Sequence, residues 1–208
     1  MRAALATLLV FCVAGCPDPH KPPPPPPCDD TFIGDPSLPP EAILIVTDGL
    51  SGAASDVIAG GTVPLVRPPQ GGQVTYAAAR VRNMNRCAVQ FRGRFRDPTT
   101  MAELGFDGRN ADLVVGADGW GRPDVTHLSN LANIPLCPDN DPVRDNQGTP
   151  ALLEIQIADQ KGHSVTASLM VVPTCASTDP AMQALCKCEC DHLPASGRMC
   201  AMLPDGGL

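Results

Sequence analysis

From residue 87 onward, apolar and polar residues trade places at every second position, in runs separated by Gly, Pro, Asp and Asn. That period matches the pleat of a half-buried strand, whose side chains point alternately to opposite faces. In residues 87–96, "CAVQFRGRFR", Cys87, Val89, Phe91, Gly93 and Phe95 share one phase, and Gln90, Arg92, Arg94 and Arg96 share the other. Residues 151–173, "ALLEIQIADQKGHSVTASLMVVP", hold two such runs around Asp-Gln-Lys-Gly and predict a hairpin. "EAILIVTDG" (41–49) reads as a strand ended by Asp-Gly, and "IPLC" (134–137) as another. "GGQVTYAAARVR" (71–82) predicts a strand that turns at "NMN" (83–85) and pairs with the run at 87–96. "DGRNADLVVGADGWGRPD" (107–124) predicts one short strand between turns. With 24 prolines, 19 glycines and few aromatics, short strands with many turns fit better than long helices, and the fold class is all-β.

The flanks differ from this middle. Met1-Arg2 precedes an apolar run at residues 3–14, "AALATLLVFCVA", too short to span a bilayer but of signal-peptide length. The run closes on Val13-Ala14-Gly15-Cys16. These four residues resemble the lipobox of bacterial lipoproteins. The resemblance covers the first 16 residues and implies cleavage before Cys16, a diacylglyceryl group on its thiol and acylation of the new N-terminus. Multiple acyl chains anchor a protein stably where one does not. The rival reading is an ordinary secretory signal with a chance cysteine. In some Gram-negative bacteria an Asp directly after the cysteine holds such proteins in the inner membrane; here Pro17 takes that place and Asp18 follows. By that resemblance the chain is a lipid-anchored protein of the bacterial envelope, in the outer membrane.

Residues 17–27, "PDPHKPPPPPP", contain eight prolines. Proline lacks the backbone N–H and fixes φ, so the segment is expected to be a polyproline II rod of roughly 34 Å. It reads as a tether, or alternatively as a ligand for a proline-recognition domain. The expected organisation is a signal peptide at 1–15, a lipidated cysteine and tether at 16–28, a β-sandwich at 29–174 and a cysteine-rich tail at 175–208.

Ten cysteines occur in all. Setting aside Cys12 and Cys16 leaves Cys28, Cys87, Cys137, Cys175, Cys186, Cys188, Cys190 and Cys200. An even number in an exported chain predicts up to four disulfides, with connectivity open. Cys28 is expected to bridge to the tail from Cys175 onward. In that tail Thr178-Asp179-Pro180 is a helix start, and "AMQALCKCE" continues it. Cys186 and Cys190 then share a side while Cys188 points away. A soft-metal site on these thiols, with His192 as a further ligand, is the alternative to a stapled cap.

The hairpin at 151–173 resembles the last two strands of bacterial Ig-like domains, where an Asp-x-x-Gly turn joins two β-runs and the second ends in Val-Val-Pro. The resemblance implies an Ig-like β-sandwich. No cysteine lies at 151–158, so the intersheet disulfide of antibody-type domains is not expected there. The wider bracket is a sandwich of six to eight strands or a partly open barrel.

For function, the net charge of −7 argues against nucleic acid as a partner. Arg80, Arg82, Arg92, Arg94 and Arg96 form a candidate face for an anionic glycan, a lipid headgroup or an acidic envelope protein, if the two strands pair. The competing reading is a solvated strand face balanced by acids. Asp139, Asp141 and Asp145 are weak calcium candidates, since side-chain oxygens suit that ion, but the EF-hand spacing is missing. No nucleophile elbow, His-Glu-x-x-His or phosphate loop appears, so no catalytic residue or cofactor is assigned. The expectation is a non-catalytic binding or structural module. The alternatives are an envelope enzyme acting on glycan or peptide and a metal-binding lipoprotein.

Overall fold

The computed structural model describes residues 28–49, 51–137, 145–190 and 200. The signal segment, Cys16, the tether up to residue 27, Asp139, Asp141 and His192 lie outside the described residues. In chain order the strands are β1 (Phe32–Ile33), β2 (Glu41–Thr47), β3 (Ser55–Asp56), β4 (Thr62–Leu65), β5 (Gln73–Arg82), β6 (Met84–Asn85), β7 (Val89–Arg96), β8 (Glu103–Ala111), β9 (Leu113–Val115), β10 (Gly121–Pro123), β11 (Ala132–Cys137), β12 (Ala151–Ala158) and β13 (Ser164–Cys175). One helix, α1 (Pro180–Cys190), follows. The predominantly β reading therefore holds, with more strands than the six to eight expected.

The strands form a five-stranded sheet in the order β4-β13-β12-β7-β8, and a six-stranded sheet in the order β3-β2-β5-β10-β9 with β11 also on β5. β11 pairs with the first half of β5 and β10 meets its far end at Val81. The buried core unites both sheets. On β7, Val89, Phe91, Gly93 and Phe95 are buried, as their phase requires. A Cβ on Gly93 would lie 2.7 Å from Ile134 Cδ1 and 2.9 Å from Ala132 Cβ, so here β11 approaches β7 too closely for a side chain. The hairpin β12–β13 keeps full register from Ala151↔Val171 to Ala158↔Ser164.

The expected pairing of the 71–82 run with the 87–96 run is corrected. β5 and β7 belong to different sheets. Both edges of β5 are occupied, by β2 on one side and β11 and β10 on the other. Asn83 takes a positive φ of 60°, and the chain crosses between sheets through β6, which pairs with β1. The single strand expected in 107–124 is three pieces, β8, β9 and β10. β3 and β4 carried no sequence signal. β4 contains Pro64 and runs parallel to the end of β13 as an outer strand of its sheet, where a missing N–H is tolerated.

Four disulfides join all eight cysteines from Cys28 onward: Cys28–Cys87, Cys137–Cys190, Cys175–Cys186 and Cys188–Cys200. Cys28 thus bridges to Cys87 and not to the tail. The reason is the β1–β6 pairing, which sets Phe32 opposite Asn85 and carries Cys28 to the crossing. Cys87 is half-buried at that crossing, two residues before β7 begins.

The β12–β13 turn is clasped to the same crossing by Asp159. Its carboxylate accepts the Asn85 N–H (2.8 Å), the Lys161 N–H (2.9 Å) and the His163 N–H (2.9 Å), with His163 Nδ1 at 2.8 Å. The His163 ring meets Phe32 edge-on at 5.4 Å. Burial raises the Asp159 pKa, but the hydrogen bonds outweigh it and leave the group below its ordinary 3.8. A lowered folded-state value means this stabilisation is complete above pH 3.8 and is lost as pH falls through the folded value. Asp159→Ala strands three backbone donors and should cost about 3 kcal/mol in urea denaturation at pH 7. The difference from wild type should shrink as pH falls below the ordinary carboxylate value of 3.8 and through the lowered folded value; a loss that does not change with pH contradicts the clasp.

Candidate binding cleft

The cleft is built where α1 meets the start of β5 and the end of β4. Asp179 starts the helix: its Oδ1 accepts the Ala181 N–H (2.9 Å), and Pro180 occupies the first turn without sacrificing a needed donor. Cys186 and Cys190, one turn apart, are both buried. They tie the helix to Cys175 at the end of β13 and to Cys137 at the end of β11. Cys188 lies off that side and pairs with Cys200.

With the helix fixed, Glu189 meets the sheet. One oxygen pairs with Arg67, which follows β4, and the other accepts Gln73 Nε2 at 2.7 Å. Gln73 is only 2% exposed, and this bond holds its side-chain amide. Above this floor opens a cleft of about 530 Å³. Its apolar lining comes from Leu65, Val66, Tyr76, Leu128 and Met182, and its rim carries Asp48, Ser177, Thr178 and Asp179. Gly49 allows the approach of Tyr76: with φ +73° it sits where a Cβ would lie 3.2 Å from Tyr76 Cε2. The Tyr76 side chain lines the cleft, is 5% exposed, and its hydroxyl has no hydrogen-bond partner among the described residues. Burial pushes its pKa above 10.

Among the described residues no histidine lines the cleft, and Cys186 is oxidised. Among the described residues the two histidines, His127 and His163, bond Asp124 and Asp159 elsewhere. The arrangement offers shape, apolar contact and hydrogen bonds, and no nucleophile–base pair.

The five arginines read as an anionic-ligand face lie on two sheets. Arg80 and Arg82 are on β5, with both guanidiniums over the indole of Trp120, at 5.0 and 4.8 Å from its centroid. Arg80 also pairs with Asp56 (2.7 Å) and Arg82 with Glu41 (2.6 Å). Arg92, Arg94 and Arg96 line β7, where Arg94 bonds Glu154 at 2.6 Å and Arg96 Nη1 donates to the Met101 carbonyl at 3.0 Å. Arg92 alone of the five makes no ion pair with a described residue. Of the calcium candidates only Asp145 is described. It precedes Asn146, which bonds the Leu136 carbonyl and the Cys190 carbonyl. The sulfurs of Cys175, Cys186 and Cys190 lie within 4.8 Å of one another, but each is in a disulfide and none is a thiolate.

Sequence reasoning missed the cleft. Its polar groups come from positions 67, 73, 76 and 189, brought together by helix docking. The one available signal was a glutamine heading an otherwise apolar strand, "QVTYAAA". Comparison with known proteins found no family model, curated protein or solved structure that matches the chain.

Proposed function

We propose that this chain is a non-catalytic binding module of the bacterial envelope, anchored through acylated Cys16 and displayed on the proline-rich tether. The observation that carries the reading is the closed disulfide set. All eight cysteines from Cys28 onward pair among themselves, which fits an oxidising compartment and leaves Cys16 without a partner among them. The domain itself reads as Ig-like. What supports it is the order β13-β12-β7-β8, which follows strands G-F-C-C′, and β2-β5-β11, which follows A-B-E, while β10 sits on β5 and takes no Ig strand position. The usual disulfide between strands B and F has no counterpart, and the staples lie instead at the crossing and at α1.

The test is Cys16→Ala expressed in a Gram-negative host. Wild type should take up a fatty-acid label and sediment with outer-membrane fractions. The variant should do neither. A variant that still sediments with membranes, or a wild type without label, refutes the anchor.

A further inference from the structure

We propose that Cys175, Cys186 and Cys190 form a thiol–disulfide exchange site, at which Cys186 takes up a small thiol as a mixed disulfide and the bridges of α1 rearrange. The uptake is stoichiometric and goes beyond the reading of the chain as a binding module, since it needs neither the anchor nor a seated ligand. Its basis is the packing of two bridges against each other. The Sγ atoms of Cys175, Cys186 and Cys190 all lie within 4.8 Å of one another. Cys175 and Cys186 form one bridge, and Cys190 belongs to the next, with Cys137. A sulfur released from the first bridge therefore already lies beside the second.

The fold gives these sulfurs unequal access. Of the four cysteines only Cys186 lines the cleft of about 530 Å³. Cys137 and Cys190 are 4% and 2% exposed and take no part in that lining. Cys186 is itself 3% exposed, so it is reached through the cleft by a small molecule and is closed to the thiol of a folded protein. Cys175 closes β13, while Cys186 and Cys190 sit one turn apart on one side of α1. The strand end can thus serve either sulfur without the helix turning.

The exchange balances without an oxidant or reductant. The thiol loses its proton to water, and its thiolate attacks Cys186 Sγ; the Cys175–Cys186 bond breaks and Cys175 leaves as a thiolate. That thiolate attacks Cys190 Sγ; a Cys175–Cys190 bond forms, and Cys137 leaves as a thiolate and takes a proton from water. Two disulfides are present before and two after, one thiol has entered and one, Cys137, has been released. The third sulfur is what retains the adduct. In an isolated bridge the displaced thiolate stays beside the mixed disulfide and expels the newcomer, whereas here it is consumed by Cys190. The Cys28–Cys87 bridge has no third sulfur within 4.8 Å and instead has the Asp112 carboxylate, which repels an incoming thiolate.

The experiment treats full-length protein in detergent with one equivalent of mercaptoethanesulfonate, stops exchange with acid and maps the bridges by peptide mass spectrometry. The adduct should sit on Cys186, with a new Cys175–Cys190 bridge and a free Cys137. In Cys137→Ala with Cys190→Ala the adduct should fall at least about tenfold, because the displaced Cys175 thiolate has nowhere else to go. Loosening of the helix end in that variant would only raise access to Cys186, so a fall there cannot come from lost access. Cys137→Ala alone leaves the Cys190 thiol beside the first bridge. With no added thiol, maleimide trapping at mildly acidic pH, where exchange is slow, should find the free thiol divided between Cys190 and Cys186. Circular dichroism checks that both variants are folded, and the wild-type map stands without them. No adduct, an adduct chiefly on another cysteine, an adduct on Cys186 with Cys137–Cys190 intact, equal uptake by the double variant, or a free thiol on Cys190 alone overturns the assignment. Failure of the anchor is read separately, by membrane fractionation of Cys16→Ala.

Discussion

Phe91→Ala should lower the unfolding free energy by about 3–5 kcal/mol, the range for deleting a buried aromatic ring. Phe91 is fully buried on the inner face of β7, held between β8 and β12 through Arg109 and Ile157. Its surroundings cannot close over the loss. Two residues on, β11 already touches the backbone at Gly93, so the sheets are at their minimum spacing there and cannot approach further at Phe91. The void would keep most of its volume, which places the cost in the upper half of the range. Such a loss is a large share of the stability of an ordinary domain. Phe106→Ala is the matched control. Phe106 is 46% exposed on the outward phase of β8, and its removal should change stability by less than about 0.5 kcal/mol. Urea denaturation of both variants decides it; comparable losses would mean that the inward and outward phases of this sheet are wrongly assigned.

That contrast also marks how much could be read in advance. The phases of β7 and of the β12–β13 hairpin were legible because a period of two fixes which side chains face in, whatever the partner strand. Gly93 was assigned inward by phase alone, although only the structure gives the reason, the contact with Ile134 and Ala132. Pairing was not legible. Residues 71–82 and 87–96 are neighbours in sequence, and a hairpin is the default for neighbours. The chain instead changes sheets at Asn83, because β2, β10 and β11 had filled both edges of β5. Short pieces such as β3 and β9 owe their conformation to those partners and carry no pattern of their own. The placement of the five arginines was illegible for the same reason: they obey one phase rule but sit on two sheets. The cleft was further from reach, since Gln73 and Glu189 are 116 residues apart and meet only after α1 docks.

Removing the Cys137–Cys190 bridge, as Cys137→Ala with Cys190→Ala, should lower stability by about 2–4 kcal/mol and free the end of α1. The bridge closes 53 residues, for which the loop-entropy account gives about 4 kcal/mol. The remaining bridges already shorten the effective loop, so the lower part of the range is included. Both sulfurs are buried, Cys137 at 4% and Cys190 at 2% exposure, and truncation to Ala leaves small voids in addition. The local consequence is more telling than the total. Glu189 is the neighbour of Cys190, and the Asn146 N–H donates to the Cys190 carbonyl. Losing the bridge releases the turn that brings Glu189 to Arg67 and Gln73, while Cys175–Cys186 still holds the turn before it. Amide exchange in the last turn of α1 should therefore speed up more than in its first turn. Gln73, deprived of its carboxylate, should exchange its side-chain amide protons faster than in wild type. Uniform exchange along the helix, or an unchanged denaturation midpoint, would show that the helix is held by packing on the sheet and that the bridge only records a contact made without it.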